Sequence, residues 1–389
     1  MKPLNVIFTG RLSFPNGIAS VKRRKYIIDY LNATAVKCRV VCLRQSKKDL
    51  EKFNNPDHGY YGATEFINFS SVFYHGLTGK VSYYKQVSAF LKKCYDENST
   101  NVLIFHTSLG IDDLPFLLYG KHLGYKIIFD QVETSYVAKG VNISLKSKIY
   151  ATINDVITKW GYRQADAFFV ISTALQKWNR ERYNQPICLL PNSTPIIRSV
   201  KKEAFSNPVK ILYVGTFTPK DGVDYLVKAF KQLVSYRSDV RLILIGKGIK
   251  RDMDVIMSLI ENEKNIEYRG YVDDDELYTV LRESDILTMT RSNSVFANFG
   301  FPFKLSEYLA TGNPVIATNV SDVCLYLEDK KNACIAVPED VESIFESLKY
   351  LVENEEKALE MGDNGLMVVK KHFDVDKNGK KFVEFLKQL

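Results

Sequence analysis

Two α/β domains, each a largely parallel sheet covered by helices, are predicted by three features of the 389-residue chain. Short apolar runs alternate with helix-length amphipathic segments, the rhythm of successive βα units. The alternation stops near residue 192 and restarts near 209. Between the two series, residues 192–208 carry prolines, serines and basic residues, which reads as a linker.

In the first series the strand-like runs are 5–9, 39–43, 101–106, 126–130, 167–171 and 187–190, with helical patterns over 18–31, 81–95 and 145–164. In the second series strands fit 209–214, 241–245, 265–269, 285–289 and 314–317. Helices there fit 223–236, 251–261, 274–281 and 303–310, and the C-terminal end is helical and rich in Lys and Glu. The composition, 46% hydrophobic and 25% charged, is enough for a core in each half.

No apolar run approaches the roughly 20 residues that cross a bilayer, and the opening MKPLNVIFTG lacks a signal peptide's apolar stretch. The expected location is cytoplasmic. Six scattered cysteines without a CxxC read as buried thiols, and the sequons at Asn32 and Asn142 as chance matches. The net charge of +8 is uneven: residues 1–200 hold 27 Lys and Arg against 14 Asp and Glu, whereas residues 201–389 are net acidic. The basic half points either to an anionic partner or to a solvated surface. Lys22-Arg23-Arg24-Lys25, Lys47-Lys48, Lys92-Lys93 and Lys121, with Tyr60-Tyr61, Phe73-Tyr74 and Tyr83-Tyr84, form the pattern expected of a face for an anionic membrane. No basic motif interleaved with aromatics supports nucleic-acid binding.

Ligands of open parallel sheets bind beyond the carboxyl ends of the strands, so the loops there are the ones to read. After the first strand, Asn16-Gly17 precedes a helix whose N-terminal N–H groups suit a phosphate; the plainer reading is a turn with Gly17 at positive φ. In the second half, Gly215-Thr216-Phe217-Thr218-Pro219-Lys220-Asp221-Gly222 follows the first strand and Gly246-Lys247-Gly248 the second. Lys220 is placed to reach a ligand, though a loop lysine is more often merely solvated. The densest segment runs from Arg291 to Thr318. Gly300 and Pro302 shape a loop before a short helix, and Gly312 stands at the helix C-terminus. Lys304 and Glu307, three residues apart, share a helix face, the spacing also of an ordinary surface ion pair.

On these residues the chain resembles the retaining glycosyltransferase family 4, the group 1 glycosyltransferases. The anchors are the first glycine loop, Val170-Ile171-Ser172, Leu190-Pro191-Asn192, Gly215…Lys220-Asp221-Gly222, Leu244-Ile245-Gly246-Lys247-Gly248, and Pro302…Glu307-Tyr308-Leu309-Ala310-x-Gly312-x-Pro314-Val315. The resemblance implies the GT-B architecture, two Rossmann-like domains facing across a cleft. The acceptor domain spans 1–195, the donor domain 196–372, and the helix from about 373 to 389 crosses back. It also implies a nucleoside-diphosphate sugar as donor and a glycan or lipid-linked acceptor, with neither cofactor nor metal.

Within that resemblance Glu307 matches the carboxylate that accepts the ribose hydroxyls, Lys220 the diphosphate cation, and Gly17 the glycine that admits the phosphates. Two positions depart from the pattern: Phe299 stands where the family's other carboxylate is expected, and Thr216 where an arginine often follows the strand. Arg291 and Lys304 are the cations placed to compensate. Gly215, Gly246, Gly300, Phe301 and Pro302 complete the expected donor site, and His106 and Glu133 follow strands on the acceptor side. The function implied is sugar transfer with retention, in surface polysaccharide or glycoconjugate assembly. The basic, aromatic-rich first half adds the expectation of a peripheral place at the inner membrane face, the alternative being a soluble enzyme whose charge attracts an acidic glycan or nucleotide. A sugar-nucleotide epimerase and a non-catalytic partner subunit are the alternatives.

Overall fold

The computed structural model describes residues 2–45, 47–70, 76–111, 113–133 and 145–389. The chain divides into two compact units, Met1–Pro191 with Val375–Leu389, and Asn192–Asp374. The first contains β1 (Leu4–Gly10), α1 (Ala19–Ala33), β2 (Lys37–Gln45), α2 (Lys47–Lys52), β3 (His58–Tyr61), β4 (Thr64–Ser70) and α3 (Gly76–Cys94). It continues through β5 (Thr100–His106), α4 (Leu114–Leu123), β6 (Lys126–Gln131), α5 (Leu145–Gln164), β7 (Ala167–Val170), α6 (Thr173–Arg180) and β8 (Ile187–Leu189).

These strands form one sheet in the order β3-β4-β2-β1-β5-β6-β7-β8. All pairs are parallel except β3 with β4. All seven residues of β1 are buried, as a strand covered on both faces requires.

The second unit contains β9 (Val209–Thr216), α7 (Val223–Tyr236), β10 (Val240–Lys247), α8 (Lys250–Ile260), β11 (Ile266–Gly270), α9 (Asp274–Glu283) and β12 (Ile286–Met289). Then come α10 (Val295–Phe299), α11 (Phe303–Leu309), β13 (Val315–Thr318), α12 (Val323–Tyr326), β14 (Cys334–Ala336), α13 (Val341–Glu353) and α14 (Glu355–Val368). Its sheet, β11-β10-β9-β12-β13-β14, is parallel throughout. Numbered within the unit this is 3-2-1-4-5-6, the doubly wound dinucleotide-fold order, and its direction reverses between β9 and β12. The last helix, α15 (Val375–Lys387), belongs to the first unit. Phe382 stacks on Phe169 at 4.7 Å and on Phe8 at 5.9 Å, and Gly379 lets the helix lie against Tyr30.

Four sequence readings need correction. The hairpin β3–β4, turning at Gly62 with φ +58°, falls in a stretch with no predicted strand. Residues 192–208 are no loose linker: Ile197 and Arg198 donate backbone N–H groups to Ala310 O at 3.0 Å, and Lys202 is 2.7 Å from the fully buried Asp285. Cys324 is exposed while the other five cysteines are buried.

The basic run on α1 is no solvated face either. Arg23 and Arg24 are 3% and 6% exposed. Arg23 makes a bidentate pair with Asp130 and donates to the carbonyls of Leu190 and Pro191. Arg24 donates to Thr9 O and lies over the Phe8 ring. Consecutive helical residues point about 100° apart, so four in a row cannot all face water. Tyr83 is buried as well. Phe73-Tyr74 and the sequon at Asn142 lie outside the described residues.

Candidate active site

The loops after β9 and β12, which flank the switch point, are stitched together. Ser292 donates its N–H to Lys220 O at 2.9 Å and its hydroxyl to Pro219 O, and the Thr290 hydroxyl bonds Asp221 O and Gly222 O. This closeness explains Gly222, and the approach of β10 to β9 explains Gly246. A Cβ on Gly222, where φ is +63°, would meet Thr290 O at 2.0 Å, and one on Gly246 would meet Gly215 O at 1.7 Å.

Lys304, from α11, crosses the end of β9. Its Nζ donates to the Tyr213 hydroxyl at 2.9 Å, sits 4.3 Å from the centre of that ring, and is 3.6 Å from Asp221 Oδ1. A Cβ on Gly215 would meet Nζ at 2.3 Å, so glycine there leaves the lysine its path. Asp221 is held in turn by the hydroxyls of Thr216 and Thr218, at 2.6 and 2.5 Å. Burial would raise the Asp221 carboxyl, but Lys304 and the two hydroxyls more than offset it and leave it below the ordinary range. Burial lowers Lys304. Asp221 opposes that shift, and the charges of Arg291 and Lys220 add to it.

Lys220 and Arg291 therefore both bear on Lys304, whose charge Asp221 balances. Thr216, standing where an arginine was looked for, is spent on orienting Asp221. Lys304 passes over the strand end beside it.

Glu307 is 6% exposed, one turn further along α11, where its charge acts on Tyr308. Glu307 and Lys304 are both drawn inward, so the surface ion pair allowed by their spacing is not what the helix presents. The Tyr308 hydroxyl accepts from Val214 N–H at 2.9 Å and donates to Val214 O at 3.0 Å, fastening α11 to β9. Pro302 is the residue before α11, and the Gly300 carbonyl accepts from Ser321. Phe301 is buried against Tyr326 and Phe373. Phe299, on α10, is partly buried.

In the first unit Gly17 does not have the positive φ that a tight turn would need; a Cβ there would meet Val21 Cγ2 at 2.5 Å. The loop containing it is braced by side-chain amides. Asn55 exchanges two hydrogen bonds with the Asn16 backbone, and Asn68 two with Phe14. His106 ends β5 next to Gly10 of β1. Burial and the nearby Arg24 and Arg23 push it down to about 4, against a smaller opposing effect of Asp130, so the ring is neutral at pH 7. Glu133 is exposed.

Tyr213, Asp221 and Tyr308 are the site residues that sequence reading missed. A tyrosine inside an otherwise apolar strand was the available signal, because a buried hydroxyl needs a polar partner. Among the described residues no group of three His, Cys, Asp or Glu is placed to hold a metal ion.

Fold and site together define a doubly wound α/β protein whose second sheet has lysines and an arginine in the loops and short helix beside its switch point. Residues 197–367, which lie within the second unit, match the family model for group 1 glycosyl transferases. The chain is 24% identical over 255 residues to the uncharacterized glycosyltransferase MJ1069 of Methanocaldococcus jannaschii, covering 63% of this chain and 64% of that one. It thus spans somewhat less than two thirds of that relative. Among solved structures, Anabaena Alr3699/HepE in complex with UDP superposes with a TM-score of 0.72 at 14% identity, covering 99% of this chain and 100% of the other. WaaG, a glycosyltransferase involved in lipopolysaccharide biosynthesis, does so with a TM-score of 0.67 at 16% identity, covering 98% and 99%. Both parts of the chain share the GT-B fold of these proteins.

Proposed function

We propose that the chain transfers a sugar from a nucleoside diphosphate to an acceptor hydroxyl, with retention of anomeric configuration, as a member of glycosyltransferase family 4. The observation that carries this is at the switch point of the second sheet: the loops bearing Lys220 and Arg291 are joined by the Ser292 N–H to Lys220 O bond, and Lys304 reaches across the end of β9 to within 3.6 Å of Asp221. In the reaction the bond from the anomeric carbon to the β-phosphate oxygen breaks and a bond to the acceptor oxygen forms on the same face. The acceptor proton passes to the departing phosphate. Charge grows on the diphosphate as it leaves, and preorganised cations stabilise that growth more than they stabilise the ground state. Glu307 accepts the ribose hydroxyls. The cations take the neutralising role, so activity is expected to survive EDTA.

HepE has been solved with UDP-glucose, and WaaG acts in lipopolysaccharide biosynthesis. The corresponding proposal is a nucleotide-sugar donor and a glycan or lipid-linked acceptor in polysaccharide or glycoconjugate assembly. A lipid-linked acceptor would bring the protein to an anionic membrane face. The epimerase and partner-subunit readings have no specific observation in their favour.

The test is a thermal-shift screen against UDP-, GDP-, ADP- and dTDP-sugars, followed by product analysis with the donor that binds. Glu307→Ala should weaken that donor by about 1.5–3 kcal/mol, the worth of hydrogen bonds to a charged group. Unchanged affinity in a folded variant would remove Glu307 from the site.

A further inference from the structure

Helix α5 carries an apolar stripe that the protein leaves in water. Ile149, Ile153 and Val156 are 54%, 42% and 61% exposed. At 100° per residue they fall, with the partly buried Trp160, within about 60° of one another round the helix axis. Tyr150, also exposed, borders the stripe on one side. Lys148, Lys159 and Arg163 border it on the other. The helix has a single acidic residue, Asp155, which is buried and paired with Lys159 at 2.8 Å.

The neighbouring helix extends the pattern. Lys121 of α4 reaches Gln164 at the end of α5, and Leu118, one turn before it, is 47% exposed. A soluble protein normally turns such a stripe inward. An apolar face that includes an indole, with a phenol at one margin and cations on the opposite flank, is the composition of a helix lying in a membrane interface.

We propose that α5, with the adjoining end of α4, is the surface by which this protein docks on an anionic phospholipid bilayer. The inference rests on the membrane association proposed above and assigns it to α5 rather than to the basic run of α1, whose two arginines are buried. Charge complementarity selects the occupant. Two copies of a cationic face would repel each other, whereas acidic headgroups neutralise it while the acyl region receives Ile149, Ile153 and Val156.

The experiment is flotation of the full chain with vesicles of neutral phospholipid containing 30% phosphatidylglycerol, at low and high salt. Alongside it goes the variant Ile153→Glu/Val156→Glu. Both positions are exposed, so the variant should keep the parent's circular dichroism and melting temperature. The parent is expected to float at low salt, and the variant to bind at least tenfold more weakly. In a Trp178→Phe background, which leaves Trp160 as the one indole, emission should shift to the blue when vesicles are added. A parent that does not bind overturns the membrane association itself. A variant that floats as well as the parent overturns the assignment to α5 and leaves the association standing. A variant that only converts a dimer to a monomer, with flotation unchanged, identifies a self-association face and overturns the proposal too.

Discussion

The Lys304 ammonium group is held by Tyr213 and Asp221 at the end of β9. Lys304→Met should lower turnover by about 100-fold or more, the scale seen when one preorganised donor to a developing anion is removed. It should also cost about 1–3 kcal/mol of stability, since it strands the buried Asp221 carboxylate. Adding Asp221→Asn should restore the stability and leave turnover low; urea unfolding and initial rates on the same preparations separate the two effects. If turnover recovered with stability, the role of Lys304 would be structural. Gly215→Ala probes the same spot from the other side. Its Cβ would come within 2.3 Å of Nζ, so the lysine tip must move, and a tenfold or greater loss of turnover in a stably folded variant is expected. The three candidate cations could be picked out in the sequence because each lies in or beside a motif at a strand end. The partners that position them were not. Asp221 read as part of a loop and Tyr213 as part of an apolar run, and nothing in sequence spacing shows that Lys304, 91 residues away, meets the tyrosine.

At the scale of elements, α11 is seven residues long and cannot hold its place by helical cooperativity alone. Burial of Leu305, Ser306, Glu307, Tyr308 and Leu309 and the two hydrogen bonds of the Tyr308 hydroxyl to Val214 fix it against β9. Tyr308→Phe should cost about 1–3 kcal/mol, because it leaves polar groups of the Val214 backbone without their partner. Donor affinity should fall with it, since Lys304 and Glu307 ride on the same helix. Urea unfolding with isothermal titration checks both, and a destabilised variant with undiminished affinity would show that α11 is positioned by packing instead. The central strands were readable because burial on both faces leaves continuous apolar runs, as in β1 and β12. The β3–β4 hairpin was not, because β3 alternates between exposed and half-buried residues before a two-residue Gly62-Ala63 turn and has no such run.

At the scale of the whole molecule, two series of βα units were legible as two sheets, and the excess of positive charge in the first half was visible as a total. What a total cannot show is where each cation goes. In the first unit two arginines of α1 turn inward to Asp130, to main-chain carbonyls and to the Phe8 ring, and the same inward charge bears on His106. That burial has a consequence for the pH dependence of folding. An unperturbed histidine titrates near 6.5, whereas His106 in the fold is held down to about 4 by burial, Arg24 and Arg23. Above pH 6.5 the ring is neutral in both states and stability does not depend on it. Between 6.5 and 4 the unfolded chain binds a proton that the folded one refuses, so stability falls as the pH is lowered through that window. One proton corresponds to about 1.4 kcal/mol per pH unit at most. Discounting for the partial exposure of the ring, about 1 kcal/mol should be lost between pH 7 and pH 5.5. Most of the carboxylates have not yet begun to protonate there, so the histidine should dominate the slope. His106→Gln should flatten that slope while leaving the stability at pH 7.5 within about 1 kcal/mol of the parent. Urea midpoints measured for both proteins at half-unit intervals from pH 7.5 to 5.5 decide it. A variant whose stability falls as steeply as the parent's would place the titrating group elsewhere and free His106 of the arginines' influence.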